Sequence, residues 1–373
     1  MLEGRATLEF AMLSTDSMSI QSISMSRKEL FVQACGGGSV PRVPVWMMRQ
    51  AGRYLPEYRA MRAKYEFLEL CKTPELAVEI SLQPFRRLGV DAVIVFSDIL
   101  ILAEAMGLQL ELGDAGPSLP EPVRSRADVQ RLHGFDPECE TGFLTEAIRG
   151  IVSEAGPDVP TLGFAAAPWT LACYMVEGRT KEGFPTAKSF LHHEGEAFRL
   201  LLSKIAQATA TYLKAQIAAG ATAVQLFDTW CGELSLGEYE SVALPVVRQV
   251  ISQINGQVPI IYYTKGSHHL MSAMARSGAN VLSVDWRIDL RELRRTAGPK
   301  TALQGNLDPT ILLGPPEQIR TATLDTVAAL GGIGHVLNLG HGILPNTPVE
   351  NAQLFVGTGQ QANGFGASPD RRE

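Results

Sequence analysis

The chain has 373 residues, 45% of them apolar and 19% charged, with a formal net charge of −6. That length supports a large core, as one big α/β barrel or two ordinary domains, and no apolar run is long enough to span a bilayer. The acidic balance excludes a general affinity for nucleic acid or anionic membrane, since both need a basic footprint.

Residues 1–24 are rich in Ser and Met, without periodicity or the apolar h-region of a secretory signal. The expectation there is a disordered extension. Glu3, Glu9 and Asp16 outnumber Arg5, against a transit peptide, so the expected compartment is cytoplasmic, or the chloroplast stroma if the extension belongs to such a peptide. Eight short apolar runs then alternate with amphipathic stretches: 43–48, 92–98, 161–167, 223–228, 259–264, 281–285, 301–306 and 335–340. Near-continuous apolarity reads as parallel strands buried on both faces. Thr73 and Pro74 start a helix that Pro84 is expected to kink, and Pro316 starts another that Gly331 is expected to cap. From about Gly357 the composition becomes that of a disordered tail, assigned to residues 358–373.

Eight strands each followed by helix predict a single (β/α)₈ TIM barrel over residues 25–357. No G-x-G-x-x-G follows any strand to favour an open doubly wound sheet. A barrel collects its chemistry at the C-terminal ends of the strands. Arg49 follows the first run, Asp98 ends the second, and Tyr174 follows the third. Asp228 and Thr229 end the fourth, Lys265 follows the fifth, Asp285 ends the sixth, Asn306 the seventh, and His341 follows the eighth.

Each of these has a plainer reading beside it. Arg49 and Arg53 are spaced to share a helical face and present two forks to a carboxylate or phosphate, or they belong to a solvated helix start or an internal ion pair with Glu57. Asp98 is a receptor for N–H groups or cations, or a helix cap. Tyr174 and Thr229 offer hydroxyls to a ligand or to the fold. His341 lies between glycines that allow close backbone approach, or is a satisfied core histidine. Five dispersed cysteines with no C-x-x-C, and no H-E-x-x-H, lead to an expectation of no metal and no disulfide; no cofactor loop is found.

The segments PVWMMRQAGRYLPEYR (44–59) and GFAAAPWTLACYMVEG (163–178) closely resemble the two signature motifs of the uroporphyrinogen decarboxylase family. FSDIL, LFDTW, DW at 285–286, QGNLDP and NLGHG follow in the family's order, so the resemblance spans about residues 26–357.

The resemblance implies a homodimeric (β/α)₈ barrel that removes carbon dioxide from the four acetates of uroporphyrinogen III. The product is coproporphyrinogen III, in haem and chlorophyll synthesis, and no cofactor takes part. By motif, Arg49, Gln50, Ala51, Gly52 and Arg53 bind the substrate, with Arg49 also catalytic. Asp98 receives the pyrrole N–H groups and is catalytic, and Tyr174, Thr229 and His341 are further substrate contacts. Ala166 replaces a usual Gly, and His268-His269 interrupt a loop that is often Gly-rich. The alternatives are a related-barrel methyltransferase, which needs zinc ligands, and a non-catalytic tetrapyrrole-binding protein.

Overall fold

The computed structural model describes residues 25–113 and 116–362. The extension expected over residues 1–24, and residues 363–373 of the expected tail, lie outside these.

Seven parallel strands follow one another in chain order: β1 (Val93–Ile94), β2 (Thr161–Ala166), β3 (Ala223–Asp228), β4 (Ile260–Thr264), β5 (Val281–Val284), β6 (Ala302–Leu307) and β7 (His335–Leu339). They match seven of the eight expected runs. The eighth, residues 43–48, closes the barrel with a single parallel bridge, Val45 to Leu337. Trp46 N–H donates to Leu337 O at 3.3 Å and Leu337 N–H to Pro44 O at 2.9 Å on one side; Asp91 N–H donates to Val45 O at 2.7 Å on the other. A longer ladder is prevented locally. Pro44 has no N–H to give, and the Val45 N–H goes to the Asp91 carboxylate at 2.9 Å, not to a strand. The fold is therefore a (β/α)₈ barrel with a weakly paired first strand.

Strand alternation sorts the interior into layers. Leu162, Ala223, Ile261, Val281, Ala302 and Val336 form an apolar floor, packed on Leu30, Phe31 and Ala34 of the helix Arg27–Cys35. A capping box between Ser26 and Glu29 starts that helix, which seals the N-terminal end of the barrel. Two residues further along β3, β5 and β6 the inward side chains are polar. Trp46 Nε1 donates to Gln304 Oε1, and Gln304 Nε2 donates to Gln225 Oε1 and Ser283 Oγ. Towards the mouth Phe227, two residues past Gln225, is in register with Tyr263, and their rings meet edge to face 5.7 Å apart. With the floor sealed, a ligand has only the C-terminal mouth to enter by.

Helix ends depart from expectation in places. The helix Pro74–Leu88 runs as one element through Pro84, with residues 80–84 all buried around the missing hydrogen bond, and Gly89 ends it at φ +71°. The helix Pro316–Ala328 stops with Ala329 still right-handed, and the left-handed turn comes at Gly331. The last helix, Val349–Gln361, passes the tail boundary expected at 357, because Phe355, Val356 and Gly359 are buried against the barrel.

Candidate active site

Arg49 does not begin a helix. Its backbone sits at φ +60°, a left-handed conformation that costs a non-glycine residue about 1–3 kcal/mol. The neighbours impose it. Met48 N–H donates to Asn338 Oδ1 at 2.9 Å, Ile343 N–H to Met48 O at 3.0 Å, and Gln50 N–H to Met47 O at 3.0 Å. Regular helix begins only at Pro56, so the shared helical face expected for Arg49 and Arg53 is absent. What aims Arg49 is Gly342, whose missing Cβ leaves room for the aliphatic part of the Arg49 side chain.

The rest of the segment divides. Gln50 is fully buried, its amide held between Met47 N–H and Ala92 O, so its side chain faces the barrel wall and not the mouth. Ala51 and Gly52 are half-buried turn residues. Arg53 is exposed and Glu57 pairs with Arg87 at 3.8 Å, so the alternative Arg53–Glu57 pair is not formed among the described residues. Arg59 donates to Arg53 O and Tyr54 O and so shapes the loop from outside.

Asp98 lies beyond β1, which ends at Ile94, well short of the expected strand end. Its Oδ1 accepts the Leu100 N–H at 2.8 Å, a bond that closes the turn before the short helix Ile101–Ala105; the N-cap of that helix is Leu100, so Asp98 is not the helix cap of the alternative reading. Among the described residues Oδ2 has no hydrogen-bond partner. Burial raises its pKa, while the Leu100 N–H and the Arg49 charge pull it back. The carboxylate is thus close to Arg49 and underprovided with donors.

His341 is held by Tyr263. The Tyr263 hydroxyl donates to Gly340 O at 3.0 Å and stands 2.9 Å from His341 Nδ1, which must therefore be the donor; Nε2 is left as an acceptor. Burial, then Arg49, Lys265 and Arg287, push the His341 pKa down to about 3. The imidazole is neutral and surrounded by cations.

Tyr174 is buried in an aromatic group with Phe184 and Trp230, at centroid distances of 6.2 and 6.3 Å, and its hydroxyl meets Thr180 at 3.5 Å. Thr229 is half-buried in the turn after β3. Asp228 faces the opposite way. It accepts from Thr170 and Tyr262 on the outer side of the barrel, and burial raises its pKa to about 6. Asp285 is fully buried and accepts from Gly266 N–H and Arg287, and Asn306 donates to the backbone at Asp285 and Ile288. These are fastenings of the mouth. Ala166 is buried in β2 without displacing it, while His269 bonds Leu234 O and His268 approaches Glu292, which fixes their loop.

Asp98, Arg49, His341, Tyr174 and Thr229 thus belong to one rim with Lys265, and the sequence reading passed over one further cation there, Arg287. Arg287 follows DW directly, and Lys265 follows β4; both charges reach His341. The signal was a basic residue just past an apolar strand, the same signal that marked Arg49. Among the described residues no three His, Cys, Asp or Glu side chains gather as a metal ion would require.

A family model described as uroporphyrinogen decarboxylase (URO-D) matches residues 26–361. The uroporphyrinogen decarboxylase of Gloeobacter violaceus is 45% identical over 335 residues, covering 89% of this chain and 96% of that protein. That of Geobacter metallireducens is 48% identical over 330 residues, covering 87% and 96%. That of Coxiella burnetii is 46% identical over 338 residues, covering 88% and 94%. Among solved structures, a methyltransferase from Methanosarcina mazei aligns with a TM-score of 0.76 at 24% identity, over 90% of this chain and 98% of that one. At such identity the likeness concerns the fold alone.

Proposed function

The chain belongs to the uroporphyrinogen decarboxylase family and is a carboxy-lyase, and on that premise we propose how its own residues act on uroporphyrinogen III. The reaction converts four acetate side chains to methyls, giving coproporphyrinogen III on the way to haem. Each turn releases one carbon dioxide and takes one proton onto the methylene left behind.

Breaking the bond directly would leave a carbanion next to an electron-rich pyrrole. Protonating the ring carbon first creates a cationic pyrrole that accepts the electrons as carbon dioxide leaves; the ring proton then returns. The Asp98 Oδ2, without a hydrogen-bond partner among the described residues, is the observation that carries this reading. A desolvated carboxylate with one open oxygen can receive pyrrole N–H groups and stabilise the cation as it forms, without reorganising. Arg49 and Arg53 hold carboxylates of the substrate, with the backbone of Gln50, Ala51 and Gly52 setting their separation. Tyr174, Thr229 and His341 contribute further hydrogen bonds, His341 through Nε2. Arginine is a poor proton donor by itself, so Arg49 acts in proton delivery through a water held against it.

Residues 25–357 serve as one catalytic domain in this reading, and the working unit is a homodimer, testable by sedimentation. The relatives named above are bacterial and give the chloroplast option no support; no helix among the described residues is long and apolar enough to cross a membrane. The deciding experiment is anaerobic incubation with uroporphyrinogen III followed by product analysis. Coproporphyrinogen III should accumulate through partly decarboxylated intermediates, and binding without conversion would reduce the protein to a tetrapyrrole carrier.

A further inference from the structure

A continuous set of contacts runs round the mouth from Arg49 to Trp230. Arg49 lies along Gly342; the next residues back are His341 and Gly340, and a Cβ on Gly340 would meet Trp286 N at 2.7 Å. Trp286 leads to Arg287, whose guanidinium stands 4.8 Å from the centre of the Trp286 ring. Asp285 accepts from the backbone and side chain of Arg287, and its Oδ2 also accepts the Gly266 N–H at 2.8 Å. That bond fixes the step after Lys265. The Lys265 ammonium is then placed 5.3 Å over the ring of Trp230, which also packs against Tyr174.

The two cations are provided for differently. Arg287 is ion-paired to Asp285 and half-exposed. Lys265 is half-buried, leans on a π face, and makes no salt bridge among the described residues. Burial, with Arg287 and Arg49 nearby, pushes its pKa down against the pull of Asp285 and Glu233, so the ammonium is partly desolvated and, among the described residues, has no direct ion-pair partner. An arrangement of like charges destabilises the empty site and becomes favourable when an anion arrives.

We infer that Lys265 is a further anchor for a carboxylate of the substrate, held in place by Trp230, with Arg287 beside it to strengthen the local positive field. The inference rests on the reading that uroporphyrinogen occupies this cleft. An octa-anion needs more cationic contacts than Arg49 and Arg53 supply, and a lysine accepts a carboxylate as a point charge without demanding the planar fit of a guanidinium.

The test is steady-state kinetics on uroporphyrinogen III with Lys265→Met, Lys265→Gln, Lys265→Arg and Arg287→Ala, alongside thermal unfolding. Removing the charge in either of the first two variants should raise KM about tenfold, as expected when one charge-assisted contact is lost, while kcat falls by less. Lys265→Arg should bring KM back towards wild type, and Arg287→Ala should have the smaller effect because Asp285 already neutralises it. The fall in affinity with added salt should also be shallower without Lys265. An unchanged KM in both neutral variants overturns the inference. So does a fall in melting temperature with no rescue by arginine, which would make Lys265 a packing residue for Trp230. A wild-type protein that leaves uroporphyrinogen untouched removes the underlying reading instead, and the two failures are told apart by that control.

Discussion

The Tyr263 hydroxyl stands 2.9 Å from His341 Nδ1, with the two ring planes 8° apart. Because the same hydroxyl donates to Gly340 O, it fixes both the tautomer of the imidazole and the path of the Gly340–Gly342 strap that supports Arg49. Tyr263→Phe keeps the ring and deletes that control. Two polar groups lose their partner, so the variant should be destabilised by about 1–3 kcal/mol. Turnover should fall further than His341 alone would account for, since Arg49 loosens too. Thermal unfolding and turnover measured together check this; wild-type values in both would show the strap to be held by other contacts.

Gly342→Ala tests the strap from the other side. A Cβ there falls on the middle of the Arg49 side chain, which cannot step aside while its backbone is held at φ +60°. The site is at the mouth, so stability should change little while kcat/KM falls by about tenfold or more, the loss expected for a misplaced positioning group. Unaltered kinetics would mean that Arg49 has another usable path into the cleft.

For Asp98, the turn bond from the Leu100 N–H separates two roles. Asp98→Asn retains a carbonyl oxygen that can accept the Leu100 N–H, so folding should be preserved. It places an NH₂ where the open Oδ2 was and removes the charge. The rate should drop about 10²–10³-fold, as for loss of one preorganised electrostatic contact. Asp98→Glu keeps the charge but displaces it and should retain more activity than Asn. Near wild-type turnover in Asp98→Asn would leave Asp98 as a turn-closing residue only.

Arg53 is exposed and, among the described residues, takes part in no ion pair; Glu57 is occupied with Arg87. Arg53→Ala should therefore leave the melting temperature unchanged while raising KM roughly ten- to hundredfold, the equivalent of about 1.5–3 kcal/mol for a charge-assisted contact. A normal KM would take Arg53 out of the binding site.

Stability should fall on acidification through the histidines. Burial holds His335 at about 4 and His341 at about 3, whereas an unfolded histidine titrates near 6.5. From pH 6.5 downwards the unfolded chain takes up protons that the folded one refuses, which costs about 1–2 kcal/mol per histidine at pH 5. Asp228, raised to about 6, acts with the opposite sign, because there the folded chain gains the proton first; Asp98, also raised, joins it. Denaturant unfolding at pH 7, 6 and 5 should show a net loss, shallower in His335→Gln. An unchanged slope in that variant would falsify the assignment.

The fold was legible because each buried strand is a short apolar run between helices, and that pattern survives without any tertiary information. The family was legible from two long motifs in the same order. Less visible was which residues face inward. With both faces of a barrel strand apolar, the period of two is hidden, so Asp228 and Asp285 look alike at their strand ends. Register alone puts Asp285 at the mouth and Asp228 among the outer helices, bonded to Thr170 and Tyr262. Gln50 went the same way: its place in the motif says site, and its amide bonds say wall.

Local pattern and motif are enough to specify the alternation of elements, the end of the barrel where polar residues collect, and Arg49, Arg53 and Asp98 as the groups to watch. The directions of the side chains come from long-range packing. Asn338 and Ile343 hold Arg49 in a left-handed turn, Gly342 aims it, Tyr263 chooses the proton on His341, and Asp285 steadies Arg287 and the loop of Lys265. Each of those contacts joins segments far apart in the chain, and a side chain's direction is set by what packs against it, which local sequence does not record.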